Sequence, residues 1–308
     1  MTRVSVVIPT YNCAARLVRA LQSVAVQTYP ADDIELVVID DGSSDDTEQQ
    51  VAAFAANSAV ETRYVRQQNA GPAAARNHGL RLARGAAIAF LDADDWWEPE
   101  KLSQQLPLLG GDVGLVYCGN RFVDAQGASI ANYVREIPAH RGDILLPLFC
   151  EFFLLTSAVV LSKAVVEEVG AFRADLPVGE DYEFFLRIAA RFRADCAPQK
   201  LLVRCVRPDS LSRRDYALDA RIDLATLTQF LHDHPDFERA YRPIVRRRIA
   251  RYRYDFAYRL LDDGRSREAT AELLQSLRAH PSIAALRTLL RATLTAPRAA
   301  AAPQGGNV

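Results

Sequence analysis

Four short β-rich runs, at residues 4–8, 35–39, 60–66 and 86–91, alternate with three helix-like segments at 14–26, 45–56 and 72–83. Strands and helices alternating at these lengths predict right-handed βαβ units and a mostly parallel sheet. The run Leu36-Val37-Val38-Ile39 has no polar break, which suits a strand covered on both faces. In a sheet of this kind, ligands bind beyond the carboxyl ends of the strands. Three segments are therefore expected on one rim: Pro9-Thr10-Tyr11-Asn12, Asp40-Asp41-Gly42-Ser43 and Asp92-Ala93-Asp94-Asp95.

The rest of the 308-residue chain is less regular. Residues 113–118 and 201–206 read as strands, 180–191 as a helix, and 124–127 as a turn. Residues 216–295 read as helical, and 296–308 as a low-complexity, disordered tail. The expected organisation is an α/β domain over 1–215, a helical extension over 216–295 and the tail.

Charge separates these parts. Residues 1–238 carry a balance of −10, whereas 239–295 carry 13 Arg against 5 acids, a balance of +8. Such asymmetry speaks about partners rather than fold. In the basic segment Ile249, Tyr252, Phe256 and Leu260 share a helical face, with Arg246, Arg247, Arg248, Arg251 and Arg253 around it. Two readings stand: peripheral contact with an anionic membrane through residues 244–260, or a helix packed on the catalytic domain with a solvated arginine face. Five cysteines without a C-x-x-C pair suit free thiols in a reducing compartment, and no secretory leader is read at the start, so a cytoplasmic location is expected, with the inner membrane face as its peripheral variant. The apolar stretch 144–161 is broken by Pro147, Glu151, Thr156 and Ser157. It reads as a buried helix running into a strand rather than as a span.

Phe90-Leu91-Asp92-Ala93-Asp94-Asp95 carries the clearest chemistry. Carboxylates at i and i+2 leaving an apolar strand can hold a hard divalent cation that prefers oxygen ligands. Asp95 reads as a cap for the helix near Pro99. Asp40 and Asp41 end the second apolar strand, where a carboxylate can accept from a base or ribose. Tyr11 can stack on a base, with Thr10 and Asn12 beside it. Arg76, one turn into the helix that Pro72 opens, can grip a diphosphate or simply face solvent. Glu180-Asp181 begins an amphipathic helix, as either a capping pair or a catalytic pair.

Together, residues 4–12, 39–47, 69–77 and 90–95 resemble family 2 glycosyltransferases in order and spacing over roughly residues 1–215. The resemblance implies a GT-A type α/β fold, Rossmann-like, with a mostly parallel central sheet flanked by helices and a helical C-terminal extension. It implies an inverting transfer from a nucleotide-diphosphate sugar, UDP first among the candidates, to a hydroxyl on a glycan or lipid-linked acceptor. It implies a Mn²⁺ or Mg²⁺ cofactor, a role in cell-surface polysaccharide, lipopolysaccharide or glycolipid assembly, and no nucleic-acid partner. By the same resemblance Pro9, Thr10, Tyr11, Asp40, Asp41, Arg76 and Asp92 line the donor nucleotide. Asp94, with Asp92, holds metal; Asp181, after Val169-Gly170-Ala171-Phe172, is the general base; Glu180 lies on the acceptor side.

Two departures matter. The segment Arg207-Pro208-Asp209-Ser210-Leu211-Ser212 lacks the histidine that many members carry there, and the Gln-x-x-Arg-Trp box of processive synthases is missing, which points to single addition. No Gly-x-Gly-x-x-Gly follows the first strand, so a dinucleotide-dependent dehydrogenase is disfavoured. A non-catalytic nucleotide-sugar binder of the same fold is the alternative.

Overall fold

The computed structural model describes residues 1–124, 127–130, 137–206 and 216–295. The turn expected at 124–127 falls partly outside them, and the 207–212 segment and the 296–308 tail fall wholly outside. By contacts the chain divides into two compact units, Met1–Arg213 and Arg214–Val308.

The first unit is built on eight strands: β1 Val4–Thr10, β2 Ile34–Asp40, β3 Glu61–Arg66, β4 Ala87–Phe90, β5 Asp95–Trp97, β6 Val113–Val123, β7 Val160–Ser162 and β8 Arg193–Cys205. Between them run α1 Ala14–Ala25, α2 Thr47–Asn57, α3 Pro72–Leu82, α4 Lys101–Gln105, α5 Leu145–Cys150, α6 Lys163–Val169 and α7 Glu180–Ala189. The strands form one sheet in the order β3-β2-β1-β4-β7-β6-β8-β5. β3, β2, β1 and β4 are mutually parallel, as the alternation predicts. β7 is antiparallel to β4 and β6, β6 pairs parallel with β8, and β5 closes the edge antiparallel to β8.

β1 and β2 are buried at every position, which is why both read as unbroken apolar runs. The apolar stretch 144–161 is α5, a 3-10 turn at Thr156–Ala158, and the start of β7. No helix among the described residues is long and apolar enough to cross a membrane.

β4 and β5 stand four places apart in the sheet, yet only residues 91–94 join them. From Phe90 to Asp95 that link reaches at most about 18 Å. Four flat steps would need about 19 Å. The sheet therefore curls, and the short link carrying Asp92 and Asp94 straps its centre to its edge.

The second unit consists of α8 Tyr216–Asp233, α9 Pro235–Ala240, α10 Arg242–Asp262, α11 Ser266–Ala279 and α12 Ile283–Thr295. Phe256, Ala257 and Leu260 of α10 pack with Ala269 and Leu273 of α11 and Ala285 of α12. The C-terminal part of the α10 apolar face is thus buried within the unit, while Arg246, Arg247 and Arg251 stay exposed.

Candidate active site

Register alone brings the three predicted segments together. Thr10 pairs with Asp40 and Val7 with Phe90, so parallel β1, β2 and β4 release their following loops at the same edge. Asn12 then clips the first two loops. Its N–H donates to Ser43 Oγ at 2.9 Å, and its Oδ1 accepts from Ser44 N at 2.8 Å. This clip holds Asn12 at φ 47°, a left-handed conformation asparagine tolerates better than most residues. It leaves Tyr11 standing 53% exposed beside buried Pro9 and Thr10. Thr10 Oγ1 is buried with no hydrogen-bond partner.

The two acids after β2 have separate tasks. Asp40 is buried; its Oδ1 accepts from Ser43 N at 2.8 Å and its Oδ2 from Tyr64 OH at 2.5 Å. Asp41 faces the loop leading to α3. Its Oδ1 accepts from Gln67 Nε2 and Ala70 N, and its Oδ2 from Gly71 N, all within 2.9 Å. Three of about four acceptor directions are filled, leaving one for a ligand donor. Asp45 accepts from Ala14 N at the start of α1 and from Thr47 N at the start of α2.

Beyond β4, burial alternates. Asp92, Asp94 and Trp96 are partly accessible, whereas Ala93, Asp95 and Trp97 point inward. Asp95 is therefore not the helix cap the sequence suggested. It lies in β5, and its carboxylate accepts from Ser157 Oγ at 2.7 Å. Burial pushes its pKa up to about 8, against the pull of Arg204 across the ladder and with Asp94 and Asp92 adding to the rise.

Arg76 does not face solvent or open onto the rim. It is 6% exposed, with Nη1 donating to Glu180 Oε1 at 2.7 Å and Nη2 to Asp92 Oδ1 at 2.8 Å. Its guanidinium joins the acid turn after β4 to the acid pair that opens α7. The neighbouring Asn77 exchanges two hydrogen bonds with the backbone of Phe172, fixing the loop before α7. Phe172 in turn packs edge-on against Phe90 and tilts against Phe184. Sequence reading missed this structural half of the Ala75-Arg76-Asn77 motif, because the partners lie about a hundred residues downstream.

Asp181 is partly accessible beside buried Glu180. Thr156 Oγ1 lies 3.5 Å from its Oδ2. Burial raises its pKa to about 7, Glu180 adds to the rise, and Arg76 opposes it. A carboxyl poised near neutrality at an accessible edge can take a proton from a hydroxyl.

Among the described residues no three His, Cys, Asp or Glu side chains form a metal cage. Asp92 and Asp94 supply two accessible carboxylates at most, and one Asp92 oxygen already accepts from Arg76. Magnesium-like ions are commonly held by one or two carboxylates together with substrate phosphates. The residues present fit such an ion.

Residues 5–169 match the family described as Glycosyl transferase family 2. Chondroitin synthase of Escherichia coli is 31% identical over 188 residues, covering 60% of this chain and 26% of that protein. An uncharacterized glycosyltransferase of Rickettsia felis is 31% identical over 192 residues, covering 60% and 31%. The chain thus spans about a third or less of the length of these relatives. Among solved structures, the mannosyltransferase PcManGT from Pyrobaculum calidifontis, in complex with GDP-Man and Mn²⁺, superposes with a TM-score of 0.61 at 23% identity, covering 95% of this chain and 80% of that one. TarS of S. aureus, residues 1–349 with UDP-GlcNAc, gives 0.60 at 18% identity, covering 90% and 91%. The curled sheet and its flanking helices are the GT-A fold seen in those structures. With more than half of its length inside the family match, the chain belongs to glycosyl transferase family 2.

Proposed function

We propose that the protein transfers a sugar, with inversion, from a nucleotide-diphosphate donor to an acceptor hydroxyl. The observation that carries this reading is the Arg76 bridge, which ties a donor-side acid turn to a base-side acid pair in one site. Tyr11 offers a face for the base, and Asp41 has an acceptor direction left for the nucleoside. Asp94, with Asp92 beside it, would hold a divalent cation, which when bound would offset the negative charge of the departing diphosphate. Asp181 takes the acceptor proton as the acceptor oxygen bonds to the anomeric carbon and the bond from that carbon to the diphosphate oxygen breaks. Arg76 and Glu180 act by holding Asp92 and tuning Asp181 rather than by touching donor.

UDP and GDP are both candidates, since structural neighbours were solved with UDP-GlcNAc and with GDP-Man. A cell-surface glycan or lipid-linked acceptor suits the kinship with a chondroitin synthase. In this reading 1–215 is the catalytic domain and 216–295 an extension. Peripheral membrane contact through 244–260 would rest on its arginines and exposed Ile244, because Phe256 and Leu260 are buried.

Calorimetric titration of UDP and GDP, with Mn²⁺ and with chelator, on wild type and Asp94→Ala, tests the donor site. Metal-dependent binding lost in the variant supports it; no binding of either nucleotide under any condition overturns it. Binding without release of free nucleotide from any UDP- or GDP-sugar would favour a non-catalytic binder.

A further inference from the structure

The acid turn between β4 and β5 lacks a ladder at residues 93–94, so something else must fix it. Ser157, in the 3-10 turn Thr156–Ala158, is 1% exposed. Its Oγ accepts from Asp92 N at 3.0 Å and donates to Asp95 Oδ2 at 2.7 Å. Its carbonyl oxygen accepts from Trp97 Nε1 at 2.8 Å. One residue thereby grips segment 92–97 at three points. Asp94 lies between the two points that the hydroxyl holds, on the accessible side of a turn whose inward side is pinned.

A buried carboxylate such as Asp95 is costly unless hydrogen-bonded. Here its partner also receives the Asp92 amide, so the hydroxyl couples the two ends of the turn instead of merely satisfying one acid. Groups of this kind orient carboxylates that bind cations.

We infer that Ser157 is a positioning residue that sets Asp92 and Asp94 for the cation and diphosphate. The inference rests on the donor-site reading above. Its test uses the full chain, MnCl₂ and UDP, with GDP as second probe, in calorimetric titrations with and without chelator. Ser157→Ala is expected to weaken Mn²⁺-dependent nucleotide binding about 10–100-fold. Binding in chelator should not change, because the hydroxyl contacts none of Thr10, Tyr11 and Asp41. Ser157→Thr, which keeps the hydroxyl, should recover most of the loss. Mn²⁺-dependent affinity within twofold of wild type in Ser157→Ala overturns the role. So does an equal loss with and without metal, which would mark a general fold defect. If wild type itself shows no metal-dependent binding of either nucleotide, the donor-site reading falls and this role falls with it.

Discussion

Arg76 and Glu180 are hydrogen-bonded at 2.7 Å although 104 positions separate them, and both are buried. Burial would disfavour the charged guanidinium, but Asp92 and Glu180 more than offset it and raise its pKa. Removing the cation leaves both carboxylates in a poorly solvated place. Arg76→Met is expected to cost about 3–5 kcal/mol, the range for breaking one side of a buried pair. Urea denaturation read by circular dichroism measures it. Arg76→Lys should fall between, since one ammonium cannot reproduce a fork aimed at two acids.

Asp181→Asn should lower kcat about 10²–10⁴-fold while leaving Mn²⁺-dependent nucleotide affinity intact. In wild type, kcat/KM should fall as pH drops below about 7, where Asp181 takes up its proton. Stability should move oppositely. The folded value near 7 exceeds the ordinary 3.8, so the folded chain binds a proton that the unfolded chain releases, and stability falls as pH rises from about 4 to about 7. Asp181→Asn is expected to melt higher than wild type at pH 8, with the gap closing near pH 4. Melting curves across that range check the sign.

Lys101 is fully buried, with Nζ over the Trp97 ring at 4.1 Å and no hydrogen-bond partner. Burial lowers its pKa to about 8 from 10.5, so the unfolded chain holds the proton more tightly and stability should rise with pH between those values. Lys101→Met keeps the stem and removes the charge. It should stabilise the protein by about 1–3 kcal/mol at pH 7 and abolish that alkaline gain. A variant less stable than wild type at pH 7 would show that the ammonium is compensated.

Gly79 lies in α3, where alanine would ordinarily favour the helix by about 1 kcal/mol. A Cβ there would sit 2.3 Å from Val7 Cγ1. Gly79→Ala should therefore destabilise, by about 1–3 kcal/mol from overpacking against β1. Gly79→Ala combined with Val7→Ala should recover part of the loss, which a double-mutant cycle in denaturant would resolve.

The parallel half of the sheet was legible because β1, β2 and β4 are buried on both faces and read as apolar runs; the acids after them then mark the rim. β5 was not legible. Three residues starting with an aspartate carry no strand periodicity, so Asp95 read as a cap. Arg76 read as a donor contact or a surface arginine, because its burial depends on Glu180, whose position no local pattern gives. The roles of Ser157 and Lys101 were hidden for the same reason: a serine in an apolar stretch and a lysine in a short helix acquire meaning only from what folds over them. The polar interruption at Thr156-Ser157, noted only as evidence against a membrane span, was the available clue.

The four-residue strap between β4 and β5 has a consequence for how the molecule breathes. Whatever pins residues 92–94 also fixes the curvature of the sheet, and the strain of opening is then felt at the edge ladder from Asp95↔Arg204 to Trp97↔Leu202. Nucleotide and Mn²⁺ together should slow amide exchange there more than nucleotide in chelator does. The edge of the sheet thus becomes a remote gauge of whether its centre is loaded.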